Sequence, residues 1–265
     1  MRCVGMTEMR VFLAMAWMPR QELRRFRAIL PALEPCYAGM VISLPPDTPA
    51  DLVSTLAELS PGYLEPVVTQ EWPSGRHAAL AGAYHLGADL IQYTDFDRMV
   101  RWVERDPQGW QAIFPAMQRA DCLVVGRTPG AYQTHPQALV ITEMVSNQVA
   151  SFLLGRRLDV SAGCKGFSRR AARVILENSI PGHALGTDAE WPLLVQRAGY
   201  SLAYLEVEGL DWESADQFQD QLATLEMQQA AAARYDADPR NWAYRVEVAN
   251  EVVRFGLEAA QKELL

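Results

Sequence analysis

The stretch Ala88-Asp-Leu-Ile-Gln-Tyr-Thr-Asp-Phe-Asp-Arg98 decides how the chain is read. Leu90 to Tyr93 is a short apolar run that reads as a buried strand, and it stops at two carboxylates, Asp95 and Asp97. Residues two apart in an extended or turn segment point the same way, so both side chains can address one point. Hard divalent cations such as Mg²⁺ or Mn²⁺ take carboxylate oxygens and keep positions free for substrate phosphates, which makes the pair a candidate metal site. The alternative is a strand-end turn, where Asp bonds its own backbone.

Upstream, apolar runs alternate with helical periods. Arg10 to Trp17 reads as a strand, Pro19 opens a helix with Leu23, Phe26, Ile29, Leu30 and Leu33 inward, and Gly39 to Leu44 is a second strand broken by Pro45-Pro46-Asp47. A helix from Thr48 or Pro49 to about Leu59 leads to a third strand, Pro66 to Gln70. After Ser74-Gly75-Arg76-His77, a small-residue helix from Ala78 to Leu86 ends at Gly87 and returns the chain to the opening stretch. This alternation predicts an α/β fold, a mostly parallel central sheet with helices on both faces. In such sheets ligands bind beyond the carboxyl ends of the strands, where Asp95 and Asp97 fall.

Downstream, Met99 to Val103 and Trp110 to Met117 read as helical, and Cys122 to Gly126 as a strand. Arg127 to His135 is a polar loop, Gln137 to Leu154 a long core helix, Asp159 to Ser168 a glycine-containing loop, and Arg169 to Glu177 a helix. A helix opening near Thr187 or Asp188 is stopped by Gly199, and Tyr200 to Val207 forms the last strand. From 213 the composition turns to Ala, Gln and Glu. Two helices, 214–234 and 239–263, are expected as a C-terminal extension that packs on residues 1–212 or mediates a homodimer.

The 265 residues are 49% hydrophobic and 21% charged, values of a globular chain long enough to bury a large core. A net charge of −8 argues against a nucleic-acid partner, which requires a basic face. Cys3, Cys36, Cys122 and Cys164 are scattered and suggest neither a zinc knuckle nor a disulfide framework, so a cytoplasmic setting is expected. No apolar run reaches the roughly 18 residues of a bilayer span. The residues up to Glu8 read as a loose leader without signal-peptide order.

Three separated blocks carry a resemblance. Gly75-Arg76 and a helix lead through Gly87-Ala88-Asp89 into a strand and D-x-D; Asp159-Val-Ser-Ala-Gly-Cys-Lys-Gly-Phe-Ser168 precedes a helix; Asp188-Ala-Glu190 is followed by Gly199-Tyr200. Over about residues 10–210 this resembles the GT-A glycosyltransferases of the family 2 type, including those similar to dolichol-phosphate mannosyl or glucosyl transferases. The resemblance implies a nucleotide-diphosphate sugar donor, Mn²⁺ or Mg²⁺ on Asp95 and Asp97, and a hydroxyl or lipid-phosphate acceptor, with peripheral membrane contact if the acceptor is a lipid. It places Arg76, Arg98 and Lys165 near donor or acceptor phosphates, and makes Asp188 and Glu190 the acidic pair that includes the general base, Asp188 first. A base of this kind needs a carboxyl raised by burial or a like-charged neighbour.

Each of these residues also has a plain structural reading: Arg76 a surface arginine, Arg98 a partner of its acidic neighbours, Lys165 a solvated loop lysine, Asp188 and Glu190 a helix cap and first-turn acid. Departures are visible too. Trp17-Met18-Pro19-Arg20 stands where the family has P-x-x-N-E, Leu44-Pro45-Pro46-Asp47 stands for D-D-G-S-x-D with Asp47 the remaining candidate for the nucleotide, and Met99 replaces the third residue of the D-x-D-x-Q/H set. A degenerate GT-A binding or assembly module is therefore the alternative, with a nucleotidyltransferase behind it; the latter lacks its glycine-rich loop after the first strand.

Overall fold

A computed structural model describes residues 9–264, so the leader reading lies outside the described residues. The chain runs β1 (Val11–Ala16), α1 (Leu23–Leu33), β2 (Gly39–Leu44), α2 (Ala50–Leu59), β3 (Leu64–Val68), α3 (Gly75–His85), β4 (Leu90–Asp95), α4 (Phe96–Arg105), the short α5 (Pro107–Gln111) and α6 (Phe114–Met117), β5 (Cys122–Arg127), α7 (Pro129–Tyr132), α8 (Gln137–Leu153), β6 (Cys164–Ser168), α9 (Arg169–Asn178), α10 (Thr187–Arg197), β7 (Leu202–Val207), α11 (Leu225–Asp236) and α12 (Pro239–Gln261).

The strands form one seven-stranded sheet in the order β3-β2-β1-β4-β6-β5-β7. Every pairing is parallel except those of β6, which runs antiparallel between β4 and β5. The α/β expectation with helices on both faces holds. Alternation along β1 shows why: Val11, Leu13 and Met15 join the core against α1, α2 and α4, while Phe12 and Ala14 join the core against α3, α8, α9, α10 and α12.

Several local expectations shift. β3 starts at Leu64 and is an edge strand, which is why Pro66 is tolerated inside it. The segment read as a glycine-containing loop supplies β6, because Cys164 to Ser168 finds partners on both sides that no local pattern announces. The first C-terminal helix begins only at Leu225; a 3₁₀ turn, Glu213–Asp216, precedes it. Cys122 and Cys164 are free and buried.

α12 lies on α8 and α10, with Val248, Val252, Gly256 and Ala259 forming its buried stripe. The fit is tight: a Cβ on Gly186 would stand 2.1 Å from the Phe255 ring, and His183 stacks on that ring at 3.6 Å. α11 lies against α8 and α12. No described helix is long and apolar enough to cross a membrane.

Candidate functional site

β1 is the topological switch of the sheet: the chain proceeds from it to β2 and β3 on one side and resumes at β4 on the other. A crevice opens at the carboxyl ends of β1 and β4, where Ala16 pairs with Asp95. A cavity of about 710 Å³ occupies it.

Asp95 closes β4, and α4 starts immediately at Phe96. Asp95 and Asp97 are therefore not two residues of one extended turn; one ends a strand and the other sits in the first helical turn, yet both line the cavity. Phe96 anchors the junction by stacking on Trp17 at 4.2 Å, an arrangement worth about 0.5–1.5 kcal/mol beyond area burial. Asp95 Oδ2 accepts from Arg76 Nη2 at 2.7 Å and Oδ1 from the Tyr93 hydroxyl at 2.6 Å. Gly163 has φ +64°, and a Cβ there would stand 2.5 Å from Asp95 Oδ2, so only glycine leaves room for the carboxylate.

A third carboxylate completes the group. Glu213, from the 3₁₀ turn after β7, is buried with Oε2 3.5 Å from Arg98 Nη1, and neither atom makes a hydrogen bond. Arg98 Nε lies 3.8 Å from Asp95 Oδ2. Burial above all, then the negative charges of Glu213 and Asp95, push the Asp97 carboxyl up to about 7, with Arg98 only partly offsetting them. Among the described residues no three His, Cys, Asp or Glu side chains are drawn together tightly enough to hold a metal ion by themselves. A Mg²⁺- or Mn²⁺-type site does not need that: one or two carboxylates plus ligand phosphates suffice, and crowded carboxylates with an orphaned oxygen are the donor chemistry such an ion relieves.

Beside this group, Asp188 Oδ1 is 2.7 Å from Lys165 Nζ and 3.0 Å from Arg76 Nη1. Burial works to raise the Asp188 carboxyl, but Arg76 and Lys165 outweigh it and hold it below the ordinary value. The raised base expected at Asp188 is thus corrected: two cations keep it ionised and weakly basic. Lys165 is not a loop lysine facing phosphates but a buried residue of β6, bonded to Asp188 and the Val160 carbonyl, and it does not line the cavity. Glu190 also lies away from the cavity; it accepts from Ser179 at 2.6 Å and faces His183 Nδ1 at 2.8 Å, and burial raises its carboxyl. Asp47 is exposed in the turn after β2 and does not line the cavity. Arg76, Asp95, Asp97 and Arg98 do come together there.

Sequence reasoning missed Glu213, and also Glu143 and Arg245, which reach the crevice from α8 and α12. Glu143 bridges Arg127 Nη2 at 2.7 Å and Arg245 Nη2 at 2.6 Å, while Asp159, at the start of the glycine-containing segment, pairs with Arg127 at 2.7 Å. The acids Asp211, Glu213 and Asp216 after the last strand were the available signal; for a single arginine on a long amphipathic helix there was none.

No protein-family model and no curated protein matches the sequence. The mostly parallel seven-stranded sheet flanked by helices is a fold shared with solved structures. Solved structures with this fold include a mycobacterial protein (14% identity over 91% of this chain and 75% of that one, TM-score 0.51) and glucosyl-3-phosphoglycerate synthase from Mycobacterium tuberculosis bound to phosphoglyceric acid (13% identity, 91% and 81%, TM-score 0.50). A further complex of the latter, with Mn²⁺, uridine-diphosphate-glucose and phosphoglyceric acid, aligns with 14% identity over 91% and 80% at a TM-score of 0.48.

Proposed function

We propose that this chain is a glycosyltransferase that moves a sugar from a nucleotide diphosphate donor to an acceptor hydroxyl or phosphate, assisted by a divalent cation held by Asp95 and Asp97 together with the donor phosphates. The observation that carries the reading is the open carboxylate cluster at the β1/β4 crevice: Asp95, Asp97 and Glu213 crowd around Arg98, and the buried pair Glu213 Oε2 and Arg98 Nη1 stands 3.5 Å apart with no hydrogen bond to either atom. The fold shared with glucosyl-3-phosphoglycerate synthase supports it.

Trp17, Ser43, Pro45, Thr69 and Trp72, at the ends of β1, β2 and β3, give the nucleoside a flat, mostly apolar bay with a few polar edges. Arg76 and Arg98 meet the diphosphate, where fixed cations stabilise the charge that develops on the departing nucleoside diphosphate. A bound Mg²⁺ or Mn²⁺ would add Lewis-acid stabilisation of the same oxygens. Asp188 holds Arg76 from behind, so its part in this mechanism is to orient a cation and not to take a proton.

In the presence of Mn²⁺ or Mg²⁺, UDP or GDP should raise the melting temperature of the wild-type protein and leave the Asp95→Ala/Asp97→Ala double variant unmoved. Equal shifts in both would sink the metal assignment. The neutralised Asp188 and the exposed Asp47 favour one rival, a catalytically silent binding module. A panel of nucleotide sugars separates the two: metal-dependent release of the nucleoside diphosphate supports the enzyme, and binding without turnover supports the module.

A further inference from the structure

Behind the main cavity lies a smaller chamber of about 70 Å³. It opens into the larger space across Arg76, Asp95, Arg98, Leu185 and Arg245, which line both. Its own walls are Asp188, Glu143 and Ser146 of α8, Ser161 of the loop before β6, and Val248, Ala249 and Val252 of α12. We propose that this chamber receives the hydroxyl-bearing edge of the transferred pyranose, so that α8 and α12, through Glu143, Ser146 and Arg245, set the sugar specificity of the enzyme proposed above. The inference rests on that reading.

Three features of the lining argue for a neutral sugar over an anion. First, charge is balanced: the guanidinium groups of Arg76, Arg98 and Arg245 face the carboxylates of Asp95, Asp188 and Glu143, so a phosphate would meet repulsion as strong as its attraction. A hydroxyl both donates and accepts, and suits a wall of alternating guanidinium, carboxylate and serine groups. Second, a donor is left over: Arg245 Nε is buried without a hydrogen-bond partner, and an orphaned group of this kind normally finds a ligand or water. Third, Leu185, Val248, Ala249 and Val252 offer a C–H surface beside the polar one, which matches a ring whose two faces are apolar and whose rim is not.

Position agrees with chemistry. The nucleoside bay lies at the ends of β1 to β3, the diphosphate cluster at Asp95, Asp97 and Arg98 comes next, and the chamber follows on the Asp188 side. That is the order of base, phosphates and sugar in a nucleotide sugar. Arg245 is held for this purpose from outside the sheet, its Nη2 2.6 Å from Glu143 Oε1, and Glu143 is in turn fixed by Arg127.

The experiment compares wild type with Arg245→Ala and Ala249→Phe, the first removing the donor and the second filling the chamber; the two fail to fold for different reasons if they fail at all, and the melting temperature without ligand reports folding. With Mn²⁺ present, dissociation constants are measured for UDP and GDP and for their glucose, galactose and mannose conjugates. Wild type should prefer one epimer by about tenfold or more, a difference of ~1.4 kcal/mol. Both variants should keep their affinity for the nucleoside diphosphate and lose that preference. Unchanged epimer preference in folded variants overturns the inference while leaving the glycosyltransferase reading intact. Absence of any nucleotide binding by wild type overturns that reading, and the inference with it.

Discussion

α4 carries two buried arginines one turn apart, Arg98 and Arg101, and the segment after β7 sets acids against each. Around Arg101 each guanidinium nitrogen has a partner. Its Nε and Nη2 each meet Asp211 at 2.7 Å, its Nη1 meets Asp216 at 2.8 Å, and the same acids also take bonds from Arg25 Nη2, the Ala223 amide and Gln228 Nε2. Around Arg98 the count is deficient: Nη1 and Glu213 Oε2 stay 3.5 Å apart and unbonded, and Asp97 is raised toward neutrality. The same helix and the same segment thus build one closed cluster and one open cluster. Buried polar groups are ordinarily satisfied, so the closed cluster is understood as the clamp that fixes the C-terminal segment to α4. The open one, facing the cavity, is where a ligand belongs.

Breaking the closed cluster should have the largest effect. Arg101→Met would leave Asp211 buried without its main partner and cost about 3–5 kcal/mol, seen in chemical denaturation as a lowered midpoint. A loss below about 1 kcal/mol would remove the distinction between clamp and site. In the open cluster, Glu213→Gln should weaken metal-dependent nucleotide binding about tenfold, ~1.4 kcal/mol, while leaving the unliganded protein as stable as before or more so. A stability loss like that of Arg101→Met would show Glu213 to be structural.

The smallest effect concerns acidity. Because the Asp97 carboxyl in the fold is raised from its usual 3.8 to about 7, the fold favours its neutral form; that contribution is full below about pH 4 and is lost as pH rises through 7. Asp97 is only partly buried, and solvent screening leaves a fraction of that shift as stability; Asp97→Asn should therefore raise the melting temperature at pH 8, by roughly the 2–4 °C that 1 kcal/mol gives in a chain of this size, and the gain should vanish near pH 4. A gain that grows on acidification would contradict the crowding of Asp97 by Glu213 and Asp95.

Much of the fold was legible in the residues themselves. Apolar runs such as Val11–Ala16 and Cys122–Arg127, separated by helical periods and by Pro and Gly, dictate buried parallel strands because only strands covered on both faces tolerate continuous hydrophobicity. The place of Asp95 and Asp97 at a strand end followed from the same pattern. Three things were decided only by tertiary structure. Cys164–Ser168 became a strand because two neighbouring edges were waiting for it. Asp188 and Lys165, far apart in sequence, neutralise each other because β6 and α10 bring them to 2.7 Å. Glu213, Glu143 and Arg245 reached the crevice from an irregular turn and two helix faces. Hydrophobic periodicity is a local property and survives in the sequence; the acidity of a carboxylate and its access to a ligand depend on charges brought close by distant segments, and these exist only once the chain has folded.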